Sequence, residues 1–146
     1  MQIEVRIDAA QTEPRVIIVT NQMTDEIQDL VRGLTEHGFR IIAGFREETV
    51  TLLDERELLR IYAHGGKVYA VTDKGEYLLR LRLYELEERL RRDHFVRISN
   101  SEIVNLKRVR HFDLSLAGTI CVTLSDGSRS YVSRRFVSKI KNMLGI

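Results

Sequence analysis

The sequence predicts a mostly β protein with short helices, an α+β fold in which an N-terminal β-β-α-β segment precedes an antiparallel-sheet domain. Three observations support this fold class. Short β-branched or alternating segments dominate from about residue 48 onward, glycine-containing turns separate them, and only brief stretches have helical spacing. The chain has 146 residues, of which 43% are hydrophobic, so it can bury a core of its own.

Residues 1–47 form the predicted N-terminal segment. IEVRI at 3–7 alternates as a strand does, and RVIIV at 15–19 predicts a second strand. The stretch MTDEIQDLVRGLTEHG then places apolar residues at helical spacing, with Thr24 suited to cap this helix and Gly38 to end it. FRIIAGF and TVTLL resume β character, which completes a small β-β-α-β pattern.

Residues 48–146 form the predicted antiparallel domain. Its strand segments are ELLRIYA, KVYAVTD, GEYLLRLRL, FVRIS, EIVNLK, VRHFDL, TICVTL and SRSYVS, and its turns are HGG, DKG, LAG and SDG. LYELEERL has leucines at helical spacing and predicts a helix between two strands. A final helix is predicted after a Ser133 cap, and Gly145 is placed to end it.

The charge of the chain is unevenly distributed, although the total is only +2. Residues 91–146 contain 11 Lys and Arg against 4 Asp and Glu, a net +7, whereas residues 1–90 are net −5. A cationic C-terminal third suits a polyanion, because neutralised phosphates release condensed counterions. A solvated basic face explains the same charge equally well.

No catalytic, metal or cofactor site is predicted. The single cysteine, Cys121, lies in an alternating segment and is expected to be a buried apolar residue. The Glu85, Glu87 and Glu88 cluster is typical of the solvated face of a helix. The histidines have no metal-ligand spacing and are expected on the surface or in packing: His37, His64, His94 and His111. We therefore expect no small-molecule substrate, and an enzyme is the weakest class.

The chain lacks the sequence features of membrane insertion and of export. No run approaches the eighteen or more uncharged apolar residues that a spanning helix needs, and the N-terminus lacks the basic and apolar blocks of a signal peptide. A cytoplasmic location is therefore expected.

A cationic and polar turn is predicted within HFVRISNSEIVNLKRV, residues 94–109. Arg97, Ser99, Asn100 and Ser101 span the bend between two strand segments. Asn offers a donor and an acceptor, Ser offers either, and Arg offers a fork, which are the groups that contact base edges and phosphates. An ordinary turn also favours Ser and Asn.

A second cationic element is YVSRRFV at 131–137. Arg134 and Arg135 would occupy the first turn of the last helix, where cations oppose the helix dipole. Such a local conflict often marks a functional site, and guanidinium groups together with helix N–H groups can hold a phosphate or a guanine edge.

The succession F-V-R-I-S-N-S-E-I-V-N-L, V-T-L-S-D-G, Y-V-S-R-R-F-V and a final helix ending in LGI resembles the LytTR DNA-binding domain of bacterial transcriptional regulators. The resemblance runs from about residue 48 to the C-terminus. It implies an elongated assembly of antiparallel sheets whose loops enter successive major grooves and bend the DNA. The whole chain resembles the small stand-alone members, which lack a receiver domain.

Carried over by position, the resemblance implies DNA contacts at Asn100 and Arg135. A third contact of the family falls on Gly66, so here it would shift to Lys67 or His64. The flanking residues Arg97, Ser99, Ser101 and Arg134 are expected to contact phosphates. The resemblance also implies a membrane-protein partner for regulators of this class.

The sequence therefore favours a sequence-specific transcription factor that binds double-stranded DNA. We expect residues 1–47 to support a homodimer or to bind a partner, because a dimer can contact two half-sites. The alternative is a nonspecific nucleic-acid-binding module, for example for RNA, or a protein-interaction module that uses the same basic surface.

Overall fold

The computed structural model describes residues 1–12, 14–34 and 41–146. The chain divides into two compact units, Met1–Gly38 and Phe39–Ile146. The first contains helix α1 (Asp25–Gly33), and the second contains the remaining helices and all the strands of the described ranges. The fold class predicted from the sequence, mostly β with short helices and antiparallel sheets, is confirmed.

The N-terminal unit has its predicted helix but not its predicted strands. The Thr24 side chain caps α1, because its Oγ1 accepts a hydrogen bond from the Ile27 N–H at 3.3 Å. Gly38, the predicted end of this helix, lies outside the described residues. The segments 3–7 and 15–19 have no strand structure, so that part of the β-β-α-β prediction is wrong.

The missing strands have a simple physical reason. A strand satisfies its backbone N–H and C=O groups only when a neighbour pairs with it. The side chains of Ile3 and Val5 are 89% and 82% exposed, so their alternation is not matched by any buried face. Alternating apolar residues therefore show that a segment can form a strand, but they do not show whether a neighbouring strand is present to pair with it.

The second unit is built on a seven-stranded antiparallel sheet in the spatial order β2-β1-β5-β4-β3-β7-β6. Every strand pairing in this sheet is antiparallel. The strands are β1 (Ile41–Arg46), β2 (Thr49–Asp54), β3 (Leu58–His64), β4 (Lys67–Thr72), β5 (Gly75–Leu79), β6 (Phe95–Ser99) and β7 (Glu102–Asn105).

A three-stranded sheet and two helices complete the second unit. The sheet has the order β10-β9-β8, with β8 (Val109–Asp113), β9 (Ile120–Leu124) and β10 (Arg129–Val132). Helix α2 (Leu83–Arg89) precedes β6, and helix α3 (Arg134–Leu144) follows β10 and ends at Gly145 in the left-handed conformation. Two 3-10 turns, Glu55–Glu57 and Leu106–Arg108, were not predicted from the sequence.

Two apolar cores lie on opposite faces of strands β3, β6 and β7. Successive residues of a strand point to opposite faces, so Leu58 packs in the first core and Leu59 in the second. The first core includes Leu83, Leu86 and Leu90 around α2. The second joins these strands to the three-stranded sheet and to Ile140 of α3. Because both faces are buried, these three strands form a fixed platform.

Gly44 in β1 provides a test of how closely this sheet packs. A Cβ atom at Gly44 would lie 2.6 Å from Leu53 Cδ1 and 2.9 Å from Tyr77 Cβ. We expect Gly44→Ala to destabilise the protein by about 1–3 kcal/mol through overpacking. Gly33→Ala is the control, because apart from its chain neighbours and the backbone of its own helix no described atom lies within 4 Å of its Cβ position. Urea denaturation measures both, and equal stability of the two variants would contradict the expectation.

Candidate nucleic-acid interface

Three elements of the second unit converge at one end of the β3-β7-β6 platform. They are the turn His64–Lys67, the turn Ser99–Ser101 and the start of α3 at Ser133–Arg135, together called the turn surface here. The Ala63 N–H donates to the Ser101 carbonyl at 2.8 Å, which joins the first turn to the second. The Ser133 N–H donates to the Ile98 carbonyl at 2.9 Å, which joins the helix start to β6.

The turn His64–Lys67 is a two-residue hairpin loop. His64 pairs with Lys67 across the strands, and Gly65 and Gly66 have φ angles of 59° and 77°. Two positive φ values are those of a type I′ turn, whose twist matches the strands it connects. Glycine is therefore required by the backbone here. His64 and Lys67 are both exposed at the base of the turn, so their side chains are the functional groups that this loop can offer.

The turn Ser99–Ser101 is supported by hydrogen bonds within the protein. Ser99 Oγ accepts from the Ser101 N–H at 3.2 Å and lies 3.3 Å from Ser101 Oγ. The Arg97 guanidinium donates to the Ser99 carbonyl at 2.8 Å and to the Asn100 carbonyl at 2.5 Å. Asn100 is exposed at the tip. The side-chain amide of Asn100 therefore lies at the tip of a loop whose backbone is held by hydrogen bonds from Arg97 and Ser99.

The third element presents two guanidinium groups at the N-terminus of α3. Arg134 and Arg135 are both exposed, and Ser133 occupies the N-cap position without a side-chain cap hydrogen bond. Arg135 Nη1 donates to Asn100 Oδ1 at 3.4 Å, so the two residues that the sequence indicated most strongly lie side by side. The Asn100 side-chain oxygen accepts this hydrogen bond.

The positive charge of the turn surface is concentrated in exposed side chains. Lys67, Arg134 and Arg135 are exposed, whereas Arg108 contacts Asp73 and the Ser125 hydroxyl. The Arg110 guanidinium donates to the Ser125 carbonyl at 2.7 Å. The excess of cations in residues 91–146 is therefore shared among internal hydrogen bonds, the turn surface and other exposed positions such as Lys139 and Lys141.

Acidic groups near the turn surface have cationic or phenolic partners. Glu102 Oε1 lies 3.1 Å from Arg60 Nη1, and both side chains are mostly buried. Tyr62 stacks on Tyr69 with ring centroids 5.2 Å apart and donates its hydroxyl to the Glu76 carboxylate at 2.9 Å. Burial, followed by this hydrogen bond, raises the pKa of Tyr62 above its ordinary value. Tyr62 consequently remains a neutral donor at physiological pH.

In the described ranges, no group of three or more His, Cys, Asp or Glu side chains is arranged to hold a metal ion. Among the same residues, no helix has both the length and the apolar character needed to cross a membrane. Cys121 is buried, as predicted from its alternating segment.

The structure brings together all eight candidate contact residues, but it gives them different surroundings. Side chains at the surface are His64, Lys67, Asn100, Ser101, Arg134 and Arg135, while Arg97 and Ser99 are half-buried. Arg97 is the exception among the cations, because its guanidinium is engaged by the loop and by Glu87 at 2.8 Å. Glu87 lies on a face of α2 that was predicted to be solvated; its side chain is 41% exposed and also forms this ion pair.

Comparisons with known proteins identify the family of this chain. A family model described as the LytTr DNA-binding domain matches residues 48–145. Two uncharacterized HTH-type transcriptional regulators of Staphylococcus aureus, from strains MRSA252 and MSSA476, are each 31% identical over 147 residues. Both alignments cover 100% of this chain and 99% of the relative.

A solved structure supports the same fold. The LytTr DNA-binding domain of a response regulator from Bacillus cereus superimposes with a TM-score of 0.70 at 21% identity. The match covers 73% of this chain and 97% of that domain. With the family match over residues 48–145 and full-length relatives, the conclusion is that this chain belongs to the LytTR family of DNA-binding domains.

Proposed function

We propose that this protein is a cytoplasmic transcription factor that binds double-stranded DNA in a sequence-specific manner through the turn surface. The observation that supports this most directly is the contact between Arg135 and Asn100 at 3.4 Å. Arg and Asn are the side chains that most often form bidentate contacts with guanine and adenine edges. Because the two side chains are in contact, both would reach the same groove in this proposal.

The cationic residues around this pair would position the protein on the DNA backbone. Arg134 and Lys67 are exposed in the other two elements of the turn surface, and contacts to phosphate fix register without reading sequence. The α3 N-terminus adds backbone N–H groups that Ser133 does not cap. In this proposal, the loops enter successive major grooves, and α3 contributes its first turn instead of lying along a groove.

We propose that residues 1–47 make the protein a homodimer. Apolar side chains in the N-terminal unit are strongly exposed, including Ile3, Ile7 and Val19 at 89%, 97% and 92%. Exposed apolar groups in a row favour association, and a two-fold dimer could contact two half-sites. The predicted strands of this segment could pair once a second copy supplies the partner strand.

Truncation is expected to separate dimerisation from folding. A protein starting at residue 39 keeps β1, which pairs with β2 and β5, and should fold as a monomer. The full-length protein should sediment as a dimer in analytical ultracentrifugation at the same concentration. A truncated protein that remains dimeric would remove this role from the N-terminal residues.

The proposed function is tested by selecting bound DNA from a random pool with the full-length protein. Fluorescence anisotropy on the selected sequence and on a scrambled control, at several salt concentrations, then gives the specificity ratio. Enrichment of one motif, in paired half-sites about one helical turn apart, supports a dimeric sequence-specific regulator. The absence of an enriched motif, with binding that depends on salt alone, would instead favour the nonspecific nucleic-acid-binding alternative.

A further inference from the structure

The turn Ser99–Ser101 is held by hydrogen bonds from side chains to its backbone. Ser99 pairs with Glu102, so Asn100 and Ser101 form a two-residue loop between β6 and β7. Two-residue hairpin loops favour turns with positive φ, because these match the twist of the strands. Among non-glycine residues in the described ranges, positive φ occurs at Glu47 alone. Asn100 and Ser101 therefore both have negative φ, and a register shift lies between Arg97 and Ser99.

Arg97 is the residue whose side chain binds the backbone carbonyls of this turn. Its side chain is 17% exposed, and its three donor nitrogens each have an acceptor: Nε binds the Ser99 carbonyl, Nη2 the Asn100 carbonyl and Nη1 Glu87 Oε2. A guanidinium presents these donors in a rigid plane. Fixing the plane of Arg97 thus fixes two consecutive carbonyl groups and the orientation of the loop tip.

Glu87 accepts a hydrogen bond from the third donor nitrogen of the Arg97 guanidinium, Nη1. It lies on α2, which is anchored in the first core by Leu83 and Leu86. The ion pair to Arg97 measures 2.8 Å, and the Glu87 side chain is 41% exposed. An arginine this close to a DNA-binding surface would otherwise be attracted outward by phosphate. The carboxylate opposes that attraction and keeps the guanidinium on the loop carbonyls.

We infer that Glu87 is a positioning residue which acts through Arg97 to orient Asn100 for base recognition. This inference rests on the proposed function of the turn surface. The inference means that Glu87 favours DNA binding, although the negative charge of its carboxylate by itself should oppose binding to DNA. It also assigns Arg97 to loop support in place of the phosphate contact expected from the sequence.

The sign of the effect distinguishes positioning from simple electrostatics. Glu87→Gln removes one negative charge, which by charge alone should tighten binding to every DNA sequence. As a positioning residue, Glu87 should instead be needed for the selected sequence, and we expect Glu87→Gln to weaken specific binding by about fivefold. Binding to scrambled DNA should stay unchanged or tighten, so the specificity ratio falls.

Glu88→Gln is the matched control. Glu88 is an exposed neighbour on the same helix, and its replacement removes the same charge. It should leave the specificity ratio unchanged. Arg97→Lys provides a second variant: a lysine keeps the charge that a phosphate contact needs but cannot bind three acceptors in one plane. We expect it to lower the specificity ratio while leaving the slope of affinity against salt concentration unchanged.

An NMR measurement without DNA tests whether Glu87 positions the loop, separately from whether the turn surface binds DNA. In Glu87→Gln, the amide resonances of residues 99–101 should shift, and in Glu88→Gln they should not. Equal spectra of the two variants at these residues, or equal specificity ratios, would overturn the inference. If the wild-type protein selects no DNA sequence, the proposed function fails, and the NMR comparison still decides whether Glu87 positions the loop.

Discussion

Asn100→Ala and Arg135→Ala should each weaken binding to the selected DNA sequence by about 1–3 kcal/mol if they contact base edges. Both side chains are exposed at the turn surface, so folding should be unaffected. Binding to scrambled DNA should change less for Asn100→Ala, which removes no charge. Anisotropy titrations on the two DNA sequences, together with thermal unfolding of each variant, measure these quantities.

The double variant tests whether the two residues act together. Because Arg135 Nη1 donates to Asn100 Oδ1, each side chain helps to orient the other. Contacting residues generally show non-additive effects, so the loss in the double variant should be smaller than the sum of the two single losses. Strict additivity would indicate that the two residues contact DNA independently.

Two control variants keep this test specific to the site. Lys141→Ala removes an exposed cation from the far end of the same helix and should leave the specificity ratio unchanged. Arg134→Ala should weaken binding to both DNA sequences similarly and reduce the slope against salt by about one, as a phosphate contact does. If Asn100→Ala and Arg135→Ala both bind like wild type, the assignment of the turn surface is refuted.

The second large effect is expected at Asn105, in the interior of the protein. Asn105 is 2% exposed; its Nδ2 donates to the Leu58 carbonyl at 2.7 Å and its Oδ1 accepts from the Lys107 N–H at 3.0 Å. It therefore ties the end of β7 to the start of β3. Alanine would leave a buried carbonyl and a partly buried N–H without their partner, and we expect a loss of about 2–4 kcal/mol of unfolding free energy.

Urea denaturation of Asn105→Ala against wild type measures this loss, with Asn142→Ala as the control. Asn142 is exposed on α3, and its replacement should change stability by less than about 0.5 kcal/mol. At a temperature where Asn105→Ala is still folded, its specific DNA affinity should be retained, because Asn105 lies at the opposite end of β7 from the turn surface. Wild-type stability of this variant would contradict the expected cost.

Periodicity and turn chemistry predicted most of the second unit. Eight strand segments of residues 48–146 correspond to β3–β10, and the predicted helices at LYELEERL and after Ser133 correspond to α2 and α3. Such local patterns predict strands correctly where the apolar side chains are buried in the fold. Leu58 and Leu59 are an example, because they point into two different cores. The predicted boundary between the N-terminal segment and the antiparallel domain, at residues 47 and 48, stays a prediction. It would fall between β1 and β2, which pair with each other in one sheet.

The same alternation at 3–7 and 15–19 predicted strands that the described residues do not form. The difference from β3 or β7 lies in the neighbours and not in the segments. Apolar residues alternate in both, but among the described residues only the strands of the second unit have a paired neighbour. Pairing partners come from distant parts of the sequence or from a second molecule, so a local pattern carries no information about them.

The sequence by itself determined the fold class, the cationic character of the C-terminal third and the motifs whose resemblance to a known family implied contacts at Asn100 and Arg135. Those properties depend on residue type and local spacing. Only the tertiary structure decided which cations are exposed. It also decided that the Arg97 side chain binds the loop carbonyls and that Glu87, ten residues earlier, forms an ion pair with Arg97. The physical reason is that a guanidinium binds whichever acceptors the fold brings within about 3 Å, and that distance is set by packing rather than by sequence separation.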